Sequence, residues 1–326
     1  MKRTSLLLML PLGLLVASCS SSSDEDSSTT SAELNKNPIQ GVAAAKMLID
    51  TGAYTDGPVW HPAEKVLFFT VPVGAGEAPG LYRVRPDGSA LKVRGGSIKD
   101  GRLPVGNAVN AAGDLITAEA RQLMRGAVGA EPAPVATGYP SDKGVTPFDT
   151  LNDVVVHANG TMYVTDPGYF ADPPPISNRL YRIAPDGTVT IAEAFENVPR
   201  PNGVALSPDQ SLLYVGFERP EVGVKPYIEK YHVAADGSLA EHSRFVDFEM
   251  DSSPDGVEVD KAGNVYVANK AGVTVFKPDG KKIGNIAVPD QPTGLAFGGE
   301  DLKTLYVTTA KTKIFSIKVN VPGINQ

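Results

Sequence analysis

The sequence predicts an all-β fold, a six-bladed β-propeller with four-stranded blades, across residues 41–326. Three observations carry the prediction. One unit recurs six times at intervals of 38 to 53 residues, a period that belongs to propellers and related repeat folds. Each copy joins a turn to two short strands rich in β-branched and aromatic residues. The 33 glycines and 27 prolines suit a chain of many tight turns rather than long helices.

Ahead of the repeats, Lys2 and Arg3 precede an apolar stretch from Leu6 to Leu15. It is long enough for the core of a signal peptide and too short to span a bilayer as a helix. The stretch runs into Leu15-Val16-Ala17-Ser18-Cys19, which resembles the lipobox of bacterial lipoproteins. Residues 1–18 are therefore expected to be a lipoprotein signal peptide, and Cys19 the lipidated first residue of the mature chain. Cys19 is the single cysteine, so the domain has no internal disulfide and the export signal alone argues for an extracytoplasmic place. Residues 19–40, which open on a run of Ser, Thr, Asp and Glu, read as a disordered tether. The expected location is the bacterial cell envelope, with the chain lipid-anchored; Ser20 directly after Cys19 favours an outer membrane.

A formal net charge of −7 and the lack of any Lys/Arg cluster argue against nucleic acid, which needs a phosphate-neutralising patch. They argue equally against binding to anionic lipid by charge. The expected partner is a small-molecule substrate, with the membrane reached only through the N-terminal lipid and the protein a monomer.

The most apolar runs of the six repeats are residues 66–69, 115–118, 162–165, 212–215, 265–268 and 304–307. These read as second strands, buried on both faces between neighbouring sheets, and so alternate imperfectly. Turns such as Asp56-Gly57-Pro58, Asn152-Asp153, Pro201-Asn202-Gly203, Pro254-Asp255-Gly256 and Pro292-Thr293-Gly294 lead the first strands, among them Val154-Val155-Val156 and Val257-Glu258-Val259. A third strand and a hairpin follow in residues 81–88, 180–187 and 273–280. Lys46 to Asp50 precede the first complete blade and are expected to close the ring by pairing with the last. Between Arg121 and Thr146 the chain is rich in Ala, Gly and Pro, resists division into strands and could form a lid.

Aligning the second strands puts Asp56, Val105, Asn152, Asn202, Asp255 and Thr293 in one column. In a propeller that column is a ring near the central axis, where two carboxylates and two amides face one point. Such hard oxygen donors suit Ca²⁺. Register sets these residues apart from Asp87, Asp186, Asp236 and Asp279, which follow third strands and read as hairpin turns. His61, His157, His232 and His242 lie mid-repeat, and no Ser-His-Asp order supports a serine hydrolase.

The motifs Thr55-Asp56-Gly57-Pro58-Val59-Trp60, Leu151-Asn152-Asp153-Val154, Tyr163-Val164-Thr165-Asp166-Pro167, Arg200-Pro201-Asn202-Gly203-Val204, Pro254-Asp255-Gly256-Val257 and Pro292-Thr293-Gly294-Leu295 resemble the successive motifs of the SMP-30/gluconolactonase/regucalcin family. The resemblance runs from about Thr51 to Val319. It implies a central divalent metal, usually Ca²⁺, with Zn²⁺, Mg²⁺ or Mn²⁺ as alternatives. The implied ligands are Asp56, Asn202 and Asp255, with Asn152 a fourth ligand or a substrate contact. Three positions depart from the family pattern: Asp56 stands where Glu is usual and is one methylene shorter, Val105 brings an apolar group into the ring, and Thr150 replaces an Arg that some relatives carry.

A metal with open positions can polarise a lactone carbonyl and stabilise the charge that builds as water attacks. Asp255 is then the expected general base or nucleophile, and Asn152 would hold the carbonyl or the water. Asp166 would orient a ligand from behind or cap its own strand end. The expected function is a Ca²⁺-dependent hydrolase of gluconolactonase type. Two other readings stay open: a phosphotriesterase-like hydrolase, and a propeller that keeps the metal for stability and serves as a binding scaffold.

Overall fold

In the computed structural model, which describes residues 29–73, 79–85, 87–169, 177–196, 200–218 and 223–324, six four-stranded antiparallel sheets form the blades of a propeller. Blade one comprises Asp56–His61, Val66–Val71, Gly80–Val84 and Ala90–Gly95; blade two, Pro104–Val109, Leu115–Glu119, Gln122–Gly126 and Ala133–Ala136. Blade three holds Val154–Val156, Met162–Asp166, Ser177–Ile183 and Val189–Glu196, and blade four Arg200–Leu206, Leu212–Glu218, Tyr227–Val233 and Leu239–Asp247. Blade five is Val257–Val259, Val265–Asn269, Gly272–Phe276 and Lys282–Ile286.

Blade six is assembled from both ends of the domain. Pro292–Gly298, Thr304–Thr309 and Lys313–Lys318 are joined by Lys46–Asp50 as the outermost strand, with Met47 opposite Phe315 and Asp50 opposite Lys313. This is the ring closure expected from sequence. It covers a backbone edge that would otherwise stay unpaired.

The core lies between blades. Tyr163 and Leu180 of blade three pack with Val204, Leu213, Val215 and Phe217 of blade four, and the second strand Val265–Asn269 is buried along its whole length. Burial on both faces is why these strands read as continuous apolar runs. Asp87, Asp186, Asp236 and Asp279 do close hairpin turns: each carboxylate accepts the N–H two residues on, at 2.9 to 3.0 Å.

Two segments differ from expectation. The stretch between Arg121 and Thr146 supplies the outer two strands of blade two, and Gly138–Ser141 then pairs with Gly144–Pro147 in a separate hairpin whose Tyr139 packs on Tyr181. The residues are strands rather than a lid. The third strand buries only Leu123 and Met124 and the fourth only Ala136, too few apolar positions to mark them in the sequence. At the N-terminal side, Cys19 and the signal stretch lie outside the described residues, but the end of the expected tether is part of the folded body. Thr30 caps a short helix, Ser31–Leu34. Glu33 pairs with Lys303 at 2.6 Å, the Asn320 amide donates to the carbonyls of Asn37 and Gln40, and Ile39 and Val42 pack on blades five and six.

Candidate active site

The lead column becomes a ring because each first strand breaks its pairing there. The ladder to the second strand skips from Asp56 to Val59, Pro104 to Asn107, Pro201 to Val204 and Pro292 to Leu295. In blades three and five it begins only at Val154 and Val257. Breaks of this kind re-aim side chains. Here Asp56, Asn152, Asn202 and Asp255 line one cavity of about 390 Å³, together with Val105 and Thr150. Thr293, 1% exposed, instead places its hydroxyl 2.7 Å from the Thr55 carbonyl. The glycines that follow most leads answer to the approach of neighbouring blades. A Cβ on Gly57 would stand 1.9 Å from the Val105 carbonyl oxygen, and one on Gly203 2.3 Å from that of Asp255.

Bonds to their main chain fix three of the four candidate ligands, and Asp56 pairs with Thr70 of its own second strand. The Asn152 N–H donates to the Thr165 carbonyl at 2.9 Å, and the Asp255 N–H to the Ala268 carbonyl at 2.9 Å. The Thr165 hydroxyl donates to the Asn202 carbonyl at 2.8 Å, and the Gly203 N–H to that of Asp255 at 3.2 Å. Each position is thus set by its own second strand or an adjoining blade. Such support holds donors in place before anything binds.

The two carboxylates are half-buried and face the cavity. Burial pushes Asp255 well above the ordinary carboxylate range, the charges of Asp56 and Glu218 add to this, and a hydrogen bond from Asn202 opposes it. Burial also raises Asp56, against the Gly57 N–H that donates to it at 2.9 Å, while Asp153 and Glu218 add repulsion. Carboxylates crowded in this way are relieved by a cation. Among the described residues no three of His, Cys, Asp and Glu cluster as a metal cage; the donor set is mixed, two carboxylates and two amides. Hard oxygens of that kind fit Ca²⁺ and do not depend on soft ligands.

Asp166 lies behind this ring rather than in it. It is 1% exposed and accepts the N–H groups of Thr150 at 2.7 Å and Asp149 at 2.9 Å, which fixes the turn that delivers Asn152. Burial raises its pKa to about 6. The histidines serve structure: His61 bonds the Gly113 carbonyl at 2.9 Å, His157 accepts from the Asn159 N–H, and His242 meets Glu229 at 3.1 Å.

Several lining residues were not legible in the repeats. Tyr54, Tyr169, Arg200, Glu218 and Gln291 complete the wall of the larger cavity. Tyr54 directs its hydroxyl toward Asp56, 3.5 Å away, while Tyr169 donates to Glu218 and accepts from the Asn202 amide at 3.0 Å. The Arg200 guanidinium stands 5.4 Å from the centre of the Tyr169 ring. A narrower cavity of about 40 Å³ shares the four candidate ligands and is also lined by Asp153 and Glu258. Asp153 accepts the Val204 N–H across the blade boundary at 3.0 Å, and burial raises it to about 6. Asp153 did leave a signal, since it occupies the place that glycine takes after the other leads.

The chain matches the family described as the SMP-30/gluconolactonase/LRE-like region over residues 54–311. It is 27% identical over 280 residues to a gluconolactonase of Zymomonas mobilis, an alignment that covers 79% of this chain and 76% of that protein. It is 33% identical over 268 residues to a pentonolactonase of Haloferax volcanii, covering 78% and 81% respectively. Its fold superimposes on the solved structure of a gluconolactonase from Xanthomonas campestris with a TM-score of 0.73 at 24% identity, over 89% of this chain and 93% of that one. With six blades, the lead motifs and a match across most of the domain in agreement, the chain belongs to the SMP-30/gluconolactonase/LRE-like family.

Proposed function

We propose that the protein is a divalent-metal-dependent lactonase with Ca²⁺ as its cation. The observation that carries this is the meeting of Asp56, Asn152, Asn202 and Asp255, from four different blades, at one cavity of about 390 Å³. The relatives named as a gluconolactonase and a pentonolactonase support lactones as the substrate class. Asp56, Asn202 and Asp255 would hold the cation, with Asn152 as a further oxygen donor. Bound there, the cation would supply a Lewis acid for the carbonyl oxygen and balance the charge that develops on it.

The chain's own groups provide the rest. Asp255, which lines the cavity beside the other candidate ligands, takes a proton from the attacking water as general base. The water oxygen bonds to the carbonyl carbon, the ring C–O bond breaks, and the proton passes to the departing alkoxide, giving a hydroxy acid. Asn152 orients the carbonyl or the water through its amide, and its place is held by the Thr165 carbonyl. Val105 and Val73 supply an apolar side to the cavity. We further propose that Cys19 carries a lipid and holds the domain at the cell envelope, on the strength of the Leu15–Cys19 motif.

Hydrolysis of a panel of aldonolactones, aromatic lactones and a fluorophosphate, with Ca²⁺ and with EDTA, tests the reading. Lactone turnover that EDTA abolishes is the expected result. Failure of every substrate while Ca²⁺ still raises the melting temperature would replace the enzyme by a metal-stabilised binding scaffold.

A further inference from the structure

The cavity wall contains a hydrogen-bonded chain whose direction is forced by the chemistry of its end. The Glu218 carboxylate closes the second strand of blade four and has only acceptor oxygens. Tyr169 has one hydroxyl proton, and it goes to Glu218 Oε1. The tyrosine oxygen is left as an acceptor, so the atom of Asn202 that meets it at 3.0 Å has to be the amide nitrogen Nδ2. Tyr169 therefore asks for the nitrogen, and the amide oxygen Oδ1 is the end kept free of it.

We propose that Tyr169 and Glu218 are positioning residues that set the orientation of the Asn202 amide, so that its oxygen is the atom offered to a cation. The assignment rests on the calcium reading given above. An asparagine can bind a cation only through its oxygen, and nothing in the shape of the side chain distinguishes its two ends. Arg200 over the Tyr169 ring restrains the ring that passes the preference on.

Calorimetric titration of the metal-free protein with Ca²⁺ tests this without reference to turnover. Tyr169→Phe, which changes no charge, and Glu218→Gln, whose amide can present either end, should each weaken Ca²⁺ binding by about tenfold, the usual loss when a group supporting a ligand is removed. The Asn202→Asp background separates orientation from simple charge. There both ends are oxygen, and the single Tyr169 proton cannot serve Asp at 202 and Glu218 together. Adding Glu218→Gln to Asn202→Asp should therefore strengthen binding, reversing its sign. Weakening in both backgrounds would reduce Glu218 to a distant negative charge and overturn the assignment, as would unchanged affinity in Tyr169→Phe. Wild-type protein that binds no Ca²⁺ would overturn the metal reading and this assignment with it.

Discussion

The Thr165 hydroxyl donates to the Asn202 carbonyl at 2.8 Å and accepts the Asp153 N–H at 3.0 Å. One side chain of blade three thereby ties the turn that carries Asn152 to the turn that carries Asn202. Thr165→Val keeps the shape and removes both bonds. Each buried group left unpaired costs about 1–3 kcal/mol. With two groups left unpaired, urea denaturation in EDTA should show a loss of at least that size, and Ca²⁺ binding should weaken in parallel. A variant as stable as wild type would mean that the two turns are held by other bonds.

Gly203 makes a sharper prediction, because its neighbour is main chain. A Cβ there would sit 2.3 Å from the Asp255 carbonyl oxygen and 2.7 Å from the Val257 nitrogen, and neither can swing away. Gly203→Ala must push blades four and five apart at the ring. At Gly95 the nearest atom to a Cβ is on the flexible Lys92 side chain, 3.8 Å away. Gly95→Ala should be neutral or stabilise by a few tenths of a kcal/mol through the unfolded chain, roughly as such changes do at compatible sites. Gly203→Ala should lower the melting temperature and abolish Ca²⁺ binding. Equal behaviour of the two variants would refute the close-packed ring.

The contrast explains what the sequence could reveal. Asp56, Asn152, Asn202 and Asp255 were legible because the fold repeats, and the repeated register leaves one lead position facing the cavity in five of the six blades. Tyr54, Tyr169, Arg200 and Glu218 belong to no such column. They reach the cavity from turns and strand ends, whose direction depends on how one blade leans on the next. Residues 30–40 were hidden for another reason. Their polar composition reads as tether, while Pro38 is buried and Ile39 docks on the sheet.

That docking is measurable. Ile39 packs with the cluster of blades five and six, close enough that a Cβ on Gly284 would meet its Cδ1 at 2.8 Å. Because Ile39 is only half-buried, Ile39→Ala should cost about 1–2 kcal/mol, less than a full core truncation. Removing the Lys303 charge, which pairs with Glu33 at 2.6 Å, should cost less than Ile39→Ala, and less still in high salt. Chemical denaturation of the two variants checks the order. An inert Ile39→Ala would return residues 30–40 to the tether.

Asp260 predicts how stability depends on pH away from the candidate ligands. It is fully buried in blade five and accepts the N–H groups of Ala262 and Asn264, the Asn264 amide and the Tyr266 hydroxyl. Burial wins over these bonds and raises it to about 6, against about 3.9 in an unfolded chain. Between those values the folded state holds the proton more tightly. The contribution of Asp260 to stability is therefore fully present below about pH 4 and is lost as pH rises through about 6, an effect on the order of 3 kcal/mol. Asp260→Asn cannot titrate. Urea denaturation in EDTA should show wild type losing more stability than Asp260→Asn between pH 4 and pH 7, whatever the absolute cost of the substitution. Parallel pH profiles would mean that the turn opens enough to hydrate the carboxylate, and that burial does not govern it.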